Sequence, residues 1–333
     1  MDQSVWPQGD GFFKTGYGLF VRGGRQLSIE ERADGAFEFA DIGEALVPII
    51  TEALDIVHAP VLMDHKYFGQ CGEGVTMEIP EATVGIVTGG VGNHEHLEVL
   101  EEMRKKCKVL IALGTCATHG GIPALMNGQD RKTSWEGIYR TLTTDPGATV
   151  PTIEVPAPLD RIYACDEKVK IDMQLPGCPP NPALIAEVIV SLLEGRPPVL
   201  PGKSVCDTCP TKREGKGAVT TVKRFITNAE FTPGELISEM RCLLEQGYMC
   251  MGPVTAAGCA KLGAPSCISA RVPCRGCFGP VRKDGNQLLD MMNALASNGI
   301  DFNSVVDRRS ILRFSGAHGM LRPVKKRVEE EES

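Results

Sequence analysis

Aromatic residues are scarce in this 333-residue chain, at 5%, with two tryptophans and five tyrosines. No run of about eighteen apolar residues occurs, so no membrane-spanning helix is expected. The start, MDQSVWPQGDGFFKTGYGLF, lacks a basic opening, an apolar stretch and a cleavage site, so no secretory signal is read in it. An excess of positive charge is missing too. Thirty-five Lys and Arg face 42 Asp and Glu, a net charge of −7, which argues against a general nucleic-acid binder. No Ser–His–Asp or paired-carboxylate arrangement stands out, and no catalytic residue is assigned.

What is present fits a globular chain. Hydrophobic residues make up 42% and charged residues 23%, which excludes disorder, collagen and transmembrane classes. The length suggests about two domains. With 37 glycines and 23 prolines, loops and tight backbone positions matter.

The first two thirds of the chain alternate in period. Residues 1–25 read as a polar, Gly-rich extension, and 26–29 as a short strand. Residues 41–54 (DIGEALVPIITEAL) carry one apolar helical face, kinked or begun at Pro48. DIVHAPVLMD (55–64) has strand length. TVGIVTGG (83–90) reads as a buried strand ending in glycines, and 93–107 as a helix capped by Asn93, with Arg104, Lys105 and Lys106 at its end. A strand over 108–113 runs into Gly114-Thr115-Cys116. Another, 169–175, ends in Pro176-Gly177-Cys178. A helix begins after Asn181, with Pro182 at its first position and Gly195 at its end. Strands alternating with helices predict an α/β, doubly wound, mostly parallel sheet. Ligands of such sheets sit beyond the strands' carboxyl ends, where Cys116 and Cys178 fall.

Composition turns Pro-rich at RPPVLPGKSV (196–205), a candidate boundary. The expected division is an extension at 1–25, the α/β domain at 26–197, a loop-rich cysteine domain at 198–285 and a C-terminal helix and tail at 286–333. The cysteine domain has few long apolar runs, so bound metal is expected to replace part of its core.

Thirteen cysteines are the outstanding feature, and eight lie between Cys206 and Cys277. In a reducing compartment, clustered cysteines bind metal more often than they form disulfides, and an odd count weakens a pure disulfide account. One set is Cys206, Cys209, Cys242 and Cys250; a second is Cys259, Cys267, Cys274 and Cys277. Four thiolates suit tetrahedral zinc or a [4Fe–4S] cluster, and spacing does not choose between them. Zinc would make a structural scaffold, and iron–sulfur an electron wire.

CDTCP, the stretch CLLEQGYMCMGPVTAAGC and the later PCRGCFGP resemble the C-terminal part of [NiFe]-hydrogenase small subunits. The likeness is strongest to the cytoplasmic methyl-viologen-reducing (F420-non-reducing) and sulfhydrogenase type. ALGTCATHGGIPAL, LPGCPPNP and DIVHAPVLMD are similar to N-terminal segments of that family, so the resemblance spans about 26–285. It implies a flavodoxin-like domain and a distal [4Fe–4S] cluster on Cys206, Cys209, Cys242 and Cys250. It also implies a medial cluster on Cys259, Cys267, Cys274 and Cys277. Cys116 and Cys178 match two ligands of a proximal cluster nearest the large subunit's Ni–Fe site.

One departure stands out. The family's other two proximal ligands come from a C-x-x-C loop, where this chain has Ala33-Asp34-Gly35-Ala36. A proximal cluster is therefore absent or held differently. Cys71 and Asp34 are the candidate substitutes, with Cys107 and Cys165 behind them; ordinary thiols are the plainer reading of these cysteines.

The resemblance implies a cytoplasmic oxidoreductase subunit that relays electrons from a catalytic large subunit to a further iron–sulfur or flavin subunit. A hydrogenase-derived subunit of a heterodisulfide-reductase-like or NAD(P)H-linked complex is the alternative, and a zinc scaffold the third. Among other residues, His119 either donates to a cluster sulfur or, the plainer reading, caps a loop. His94 and His96 are expected in solvent. VTGGVG (87–92) matches a phosphate loop only loosely. Lys212-Arg213 and the basic patch at 325–327 read as solvated faces or partner contacts.

Overall fold

The computed structural model describes residues 79–323, apart from 146, 148, 154, 227–228 and 261–264. The elements expected at 26–29, 41–54 and 55–64 lie outside the described residues, as do Ala33, Asp34, Ala36, Cys71 and the tail.

Among the described residues, the α/β part has three parallel strands, β1 (Ala82–Val87), β3 (Cys107–Leu113) and β5 (Met173–Leu175), in the order β1-β3-β5. Val84 faces Val109 and Ile111 faces Met173 across the ladders. Helix α1 (His94–Lys106) returns the chain from β1 to β3; the Asn93 side chain caps it, accepting the His96 amide at 2.7 Å. Two shorter helices, α2 (Thr115–His119) and α3 (Arg131–Tyr139), follow β3. Helix α4 (Pro182–Leu193) follows β5, and the Asn181 side chain accepts the Ala183 amide at 2.9 Å. Alternation along β3 assigns the two faces. Leu110 and Ala112 pack with Leu100 and Met103 of α1. Val109 and Ile111 pack with Leu184, Val188 and Leu192 of α4. Helices therefore cover both faces, the doubly wound arrangement that the alternation predicts.

The strand expected over 169–175 is shorter. Before Met173, the Asp172 carboxylate accepts the Leu110 amide at 2.8 Å and Arg104 at 2.5 Å, so a side chain occupies the place of a ladder bond. Arg104 also donates to the Cys107 and Lys108 carbonyls, which turns the end of α1 into the start of β3.

The glycines of VTGGVG serve backbone and packing: Gly89 takes a left-handed conformation at φ +81°. Strand β2 (Val91–Asn93) pairs antiparallel with β4 (Pro158–Tyr163). A Cβ on Gly92 would lie 2.7 Å from the end of the Ile162 side chain, which would have to shift to admit it.

Among the described residues beyond 200 there are two single-turn α-helices, α5 (Val205–Thr208) and α6 (Ser266–Ser269), and one longer one, α7 (Gln287–Ser297). Isolated bridges such as Ser204–Ala256 and Lys212–Arg241 hold the loops between them together. These loops have an apolar core of their own. Val205, Leu243, Met251, Val254 and Ile268 gather with Met291 and Leu295 of α7, and Cys250 and Cys274 lie among them. The core is thus larger than composition suggests, because residues scattered in sequence converge on α7. The chain then returns to the α/β part: Ala317 N–H donates to the His119 carbonyl at 3.2 Å, and Arg309 to that of Gly128 at 2.9 Å. No helix among the described residues is long and apolar enough to cross a membrane.

Candidate functional site

Cys206 lies on α5, and Cys209 follows it. Ser204 and Asp207 fix the turn, with the Ser204 amide and hydroxyl donating to the carboxylate at 2.8 and 2.7 Å. Cys242 and Cys250 arrive from the later loop. Burial pushes the Cys206 thiol up to about 12, with further upward pressure from Cys250, Cys242 and Cys209 and a downward pull from Arg213. All four sulfurs of the first set are therefore within electrostatic reach of one another. The chain must come very close here: a Cβ on Gly252 would stand 3.0 Å from Cys206 Sγ.

The second set is drawn together in the same way. Burial raises the Cys259 thiol, and Cys267 adds to it. Cys277 is pushed to about 11 by burial, then by Cys259, Cys267 and Cys178, while the Cys178 amide pulls it down. Burial also raises Cys274, followed by Cys250, Cys267 and Cys277. Both sets thus have a member that reaches outside. Cys274 N–H donates to Cys250 Sγ at 3.3 Å, and Cys277 accepts from the Cys178 amide.

Cys116 and Cys178 stand where fold logic places them, beyond the carboxyl ends of β3 and β5. Burial raises the Cys116 thiol, and Cys178 is the next cause, so the two are neighbours. Thr115 joins this corner to the second set. Its hydroxyl accepts the Gly177 amide at 2.8 Å and donates to the Cys277 carbonyl at 2.5 Å. Gly121, at φ +53°, passes so close that a Cβ would lie 2.6 Å from Cys116 Sγ. Thr115 was invisible in the sequence beyond its place before a cysteine.

The donor sets fit a polynuclear metal group. Buried thiols that raise one another's pKa are poor thiolates alone, and a multivalent cation reverses that balance. Backbone amides already point at sulfur: Gly252 and Cys274 at Cys250, Gly276 at Cys274, Ser266 at Cys259. Such N–H···S bonds hold and tune iron–sulfur centres.

Other expectations divide. Cys107 is buried in the sheet, where a Cβ on Gly85 would lie 2.6 Å from its sulfur. Cys165 is buried with Val87, Val91 and Ala117, its thiol pushed up to about 12 by burial and then Asp166, and it donates to the Gly89 carbonyl. Both are packed among apolar side chains. Among the described residues, the His119 side chain has no bond to a sulfur or to a loop backbone group. Its Nδ1 bonds Thr118 Oγ1 at 2.7 Å, and its ring lies against Gly279. His94 and His96 are exposed, as expected. Lys212-Arg213 is not merely a solvated face, because both residues bond to the first set.

These features define a class: a doubly wound α/β domain joined to a loop-built half with buried all-thiol sites in contact with the sheet's carboxyl edge. The chain is 37% identical to a subunit of the vhu F420-non-reducing hydrogenase of Methanocaldococcus jannaschii, over 82% of this chain and 86% of that protein. It is 32% identical to the iron-sulfur subunit of the F420-non-reducing hydrogenase of Archaeoglobus profundus, over 77% and 82%. The profile of the family described as NADH ubiquinone oxidoreductase, 20 Kd subunit, matches residues 35–192, which end before the eight clustered cysteines. Among solved structures, an NAD+-reducing [NiFe]-hydrogenase in the H2-reduced state is similar at 33% identity and TM-score 0.37, over 39% of this chain and 74% of that one. The chain belongs to the family of hydrogenase small subunits that serve the F420-non-reducing hydrogenases.

Proposed function

We propose that this chain is the electron-relay subunit of a [NiFe]-hydrogenase-type complex. One [4Fe–4S] cluster would be held by Cys206, Cys209, Cys242 and Cys250, and another by Cys259, Cys267, Cys274 and Cys277. The observation that carries this reading is the order of contacts. Cys178 meets Cys277 in the second set, and Cys274 meets Cys250 in the first. A line of sulfur sites so runs from the carboxyl edge of the sheet to the loops beyond. The clusters supply one-electron transfer; the chain's own residues bury them, bridge them and aim amides at their ligands. A catalytic large subunit would dock near Cys116 and Cys178, and a further iron–sulfur or flavin subunit near Cys206 and Cys209, in the cytoplasm. Residues 26–197 and 198–285 would form the docking and relay domains.

Among the described residues, no three Cys, His, Asp or Glu side chains converge on a single-ion position. A second reading keeps the relay and drops hydrogen. Ala33 and Ala36 in place of a C-x-x-C loop support a subunit recruited to a heterodisulfide-reductase-like or NAD(P)H-linked complex.

Anaerobic iron, sulfide, zinc and nickel analysis of the purified complex, with low-temperature EPR of its reduced form, tests the proposal. About eight irons on this chain mean two clusters, and about twelve mean that Cys116 and Cys178 recruit a third through Cys71 or Asp34. Zinc without sulfide ends the relay reading. A co-purifying large subunit with nickel separates the first reading from the second.

A further inference from the structure

An open cleft of about 550 Å³ lies outside the cysteine sites. That volume is within the range of small-molecule sites, about 300–1,000 Å³. One wall is β4 and the turn after it, with Asp160, Arg161 and Glu167. A second is the start of α3, with Arg131, and the third is the returning C-terminal stretch, with His318 and Arg322. The walls are fixed to one another. The buried Asn127 side chain pairs with both backbone groups of Ile162 in β4, each at 2.8 Å, and its amide also reaches the Gly316 carbonyl at 3.5 Å. His318 Nε2 bonds Asp166 at 2.7 Å, and its backbone stands at φ +53°, a conformation that a residue other than glycine keeps only where its surroundings impose it.

Three arginines face two carboxylates here, and both carboxylates are already engaged. Glu167 accepts Arg161 at 2.7 Å and the Ala164 amide at 3.0 Å, while Asp160 accepts the Tyr163 hydroxyl at 2.6 Å. The Arg131 guanidinium lies 5.7 Å from the centre of the Trp135 ring, and Arg322 Nε donates to the Gly319 carbonyl at 3.2 Å. Neither arginine has a carboxylate partner among the described residues. A guanidinium fork matches the paired oxygens of a phosphate or a carboxylate, and two such forks on different walls suit two of them. We propose that this cleft binds a small molecule carrying two or more oxyanion groups, phosphate or carboxylate, held by Arg131 and Arg322. The inference goes beyond the relay reading and needs no cluster, so the two stand or fail separately.

The test is isothermal titration calorimetry of the anaerobically purified full-length protein, with the subunits that accompany it, at low ionic strength. The probes are fructose 1,6-bisphosphate and succinate. One of them is expected to bind once per chain with a Kd below about 1 mM, and which one binds tells phosphate from carboxylate. The double variant Arg131→Gln/Arg322→Gln should weaken binding about tenfold or more. Lys105→Gln, which removes an exposed cation outside the cleft, should leave it unchanged. No binding of either probe overturns the proposal, as does full affinity in the double variant. A loss in Lys105→Gln equal to that in the double variant means diffuse charge attraction only, and also overturns it. So does binding that emerges only when the chain is cut after Pro323, because the acidic residues 329–332 would then be the cleft's occupant. Should the double variant unfold, Arg131→Gln alone is read in its place, with weakened binding supporting the proposal and full affinity overturning it.

Discussion

The amide of Cys274 donates to Sγ of Cys250 at 3.3 Å, and both residues are buried in one apolar core. A backbone group of one sulfur site thus stabilises a ligand of the next. Each site is part of the wall of its neighbour.

Replacing Cys250 by alanine removes a thiolate and leaves the Cys274 amide without its acceptor. About four of about eight irons are expected to be lost, with the second set still loaded. Iron and sulfide counting on the purified variant checks this. Full retention would remove Cys250 from the ligand set.

Thr115→Val replaces a buried hydroxyl that serves both Gly177 and Cys277. Two buried backbone groups lose their partner, at a cost of about 1–3 kcal/mol each. The thermal unfolding midpoint should fall accordingly, and Thr115→Ser should restore most of it. Valine as stable as wild type would show that the hydroxyl does not hold this junction.

Cys107→Ala and Cys165→Ala should leave iron content unchanged. Both thiols are packed among apolar side chains, so the expected effect is a modest loss of stability, of about 1 kcal/mol. A drop in iron from either variant would bring that cysteine into the site of Cys116 and Cys178.

His318 Nε2 bonds Asp166 at 2.7 Å, which raises the histidine pKa; Glu167 also raises it, while burial and Arg161 oppose. Stability from a raised histidine is full below the unfolded value and is lost as pH rises through the folded one. Asp166 is held below the usual carboxylate range by His318 despite its burial, so its share is lost at the acid end. His119 is lowered to about 4 by burial and then by His318, and it too disfavours acid. Hydrogen exchange of residues 315–321, corrected for the intrinsic base catalysis of amide exchange, should therefore speed up in the wild type as pH rises through the raised value of His318. His318→Gln should remove that dependence; an unchanged profile would show that the pair carries no stability.

Much was legible in the sequence. The alternation of TVGIVTGG, the Asn93-capped helix and KVLIAL specifies strand, helix and strand, because local periodicity and capping are set within a dozen residues. Cys116 and Cys178 could be placed at strand ends by the same logic. The proposed grouping of eight cysteines into two sets of four rests on spacing and on family likeness.

Other features depend on residues far apart. The strand ending in Met173–Leu175 is cut short because Asp172 meets Arg104, 68 positions earlier. Lys212-Arg213 looks like a plain surface dipeptide until the loop bearing Cys242 bonds to the Lys212 backbone.

The sequence by itself determined the doubly wound frame, since it follows from short-range pattern, and its cysteine spacing suggests the two sets proposed above. Only the tertiary structure decided their order, with Cys178 against Cys277 and Cys274 against Cys250. The same folding set Thr115 at one junction and Arg213 at the outer set. Arg213 bonds Cys206 from seven positions away, but the other neighbours come from chain segments tens of residues or more apart, and packing and long-range hydrogen bonds, which no local period encodes, bring them together.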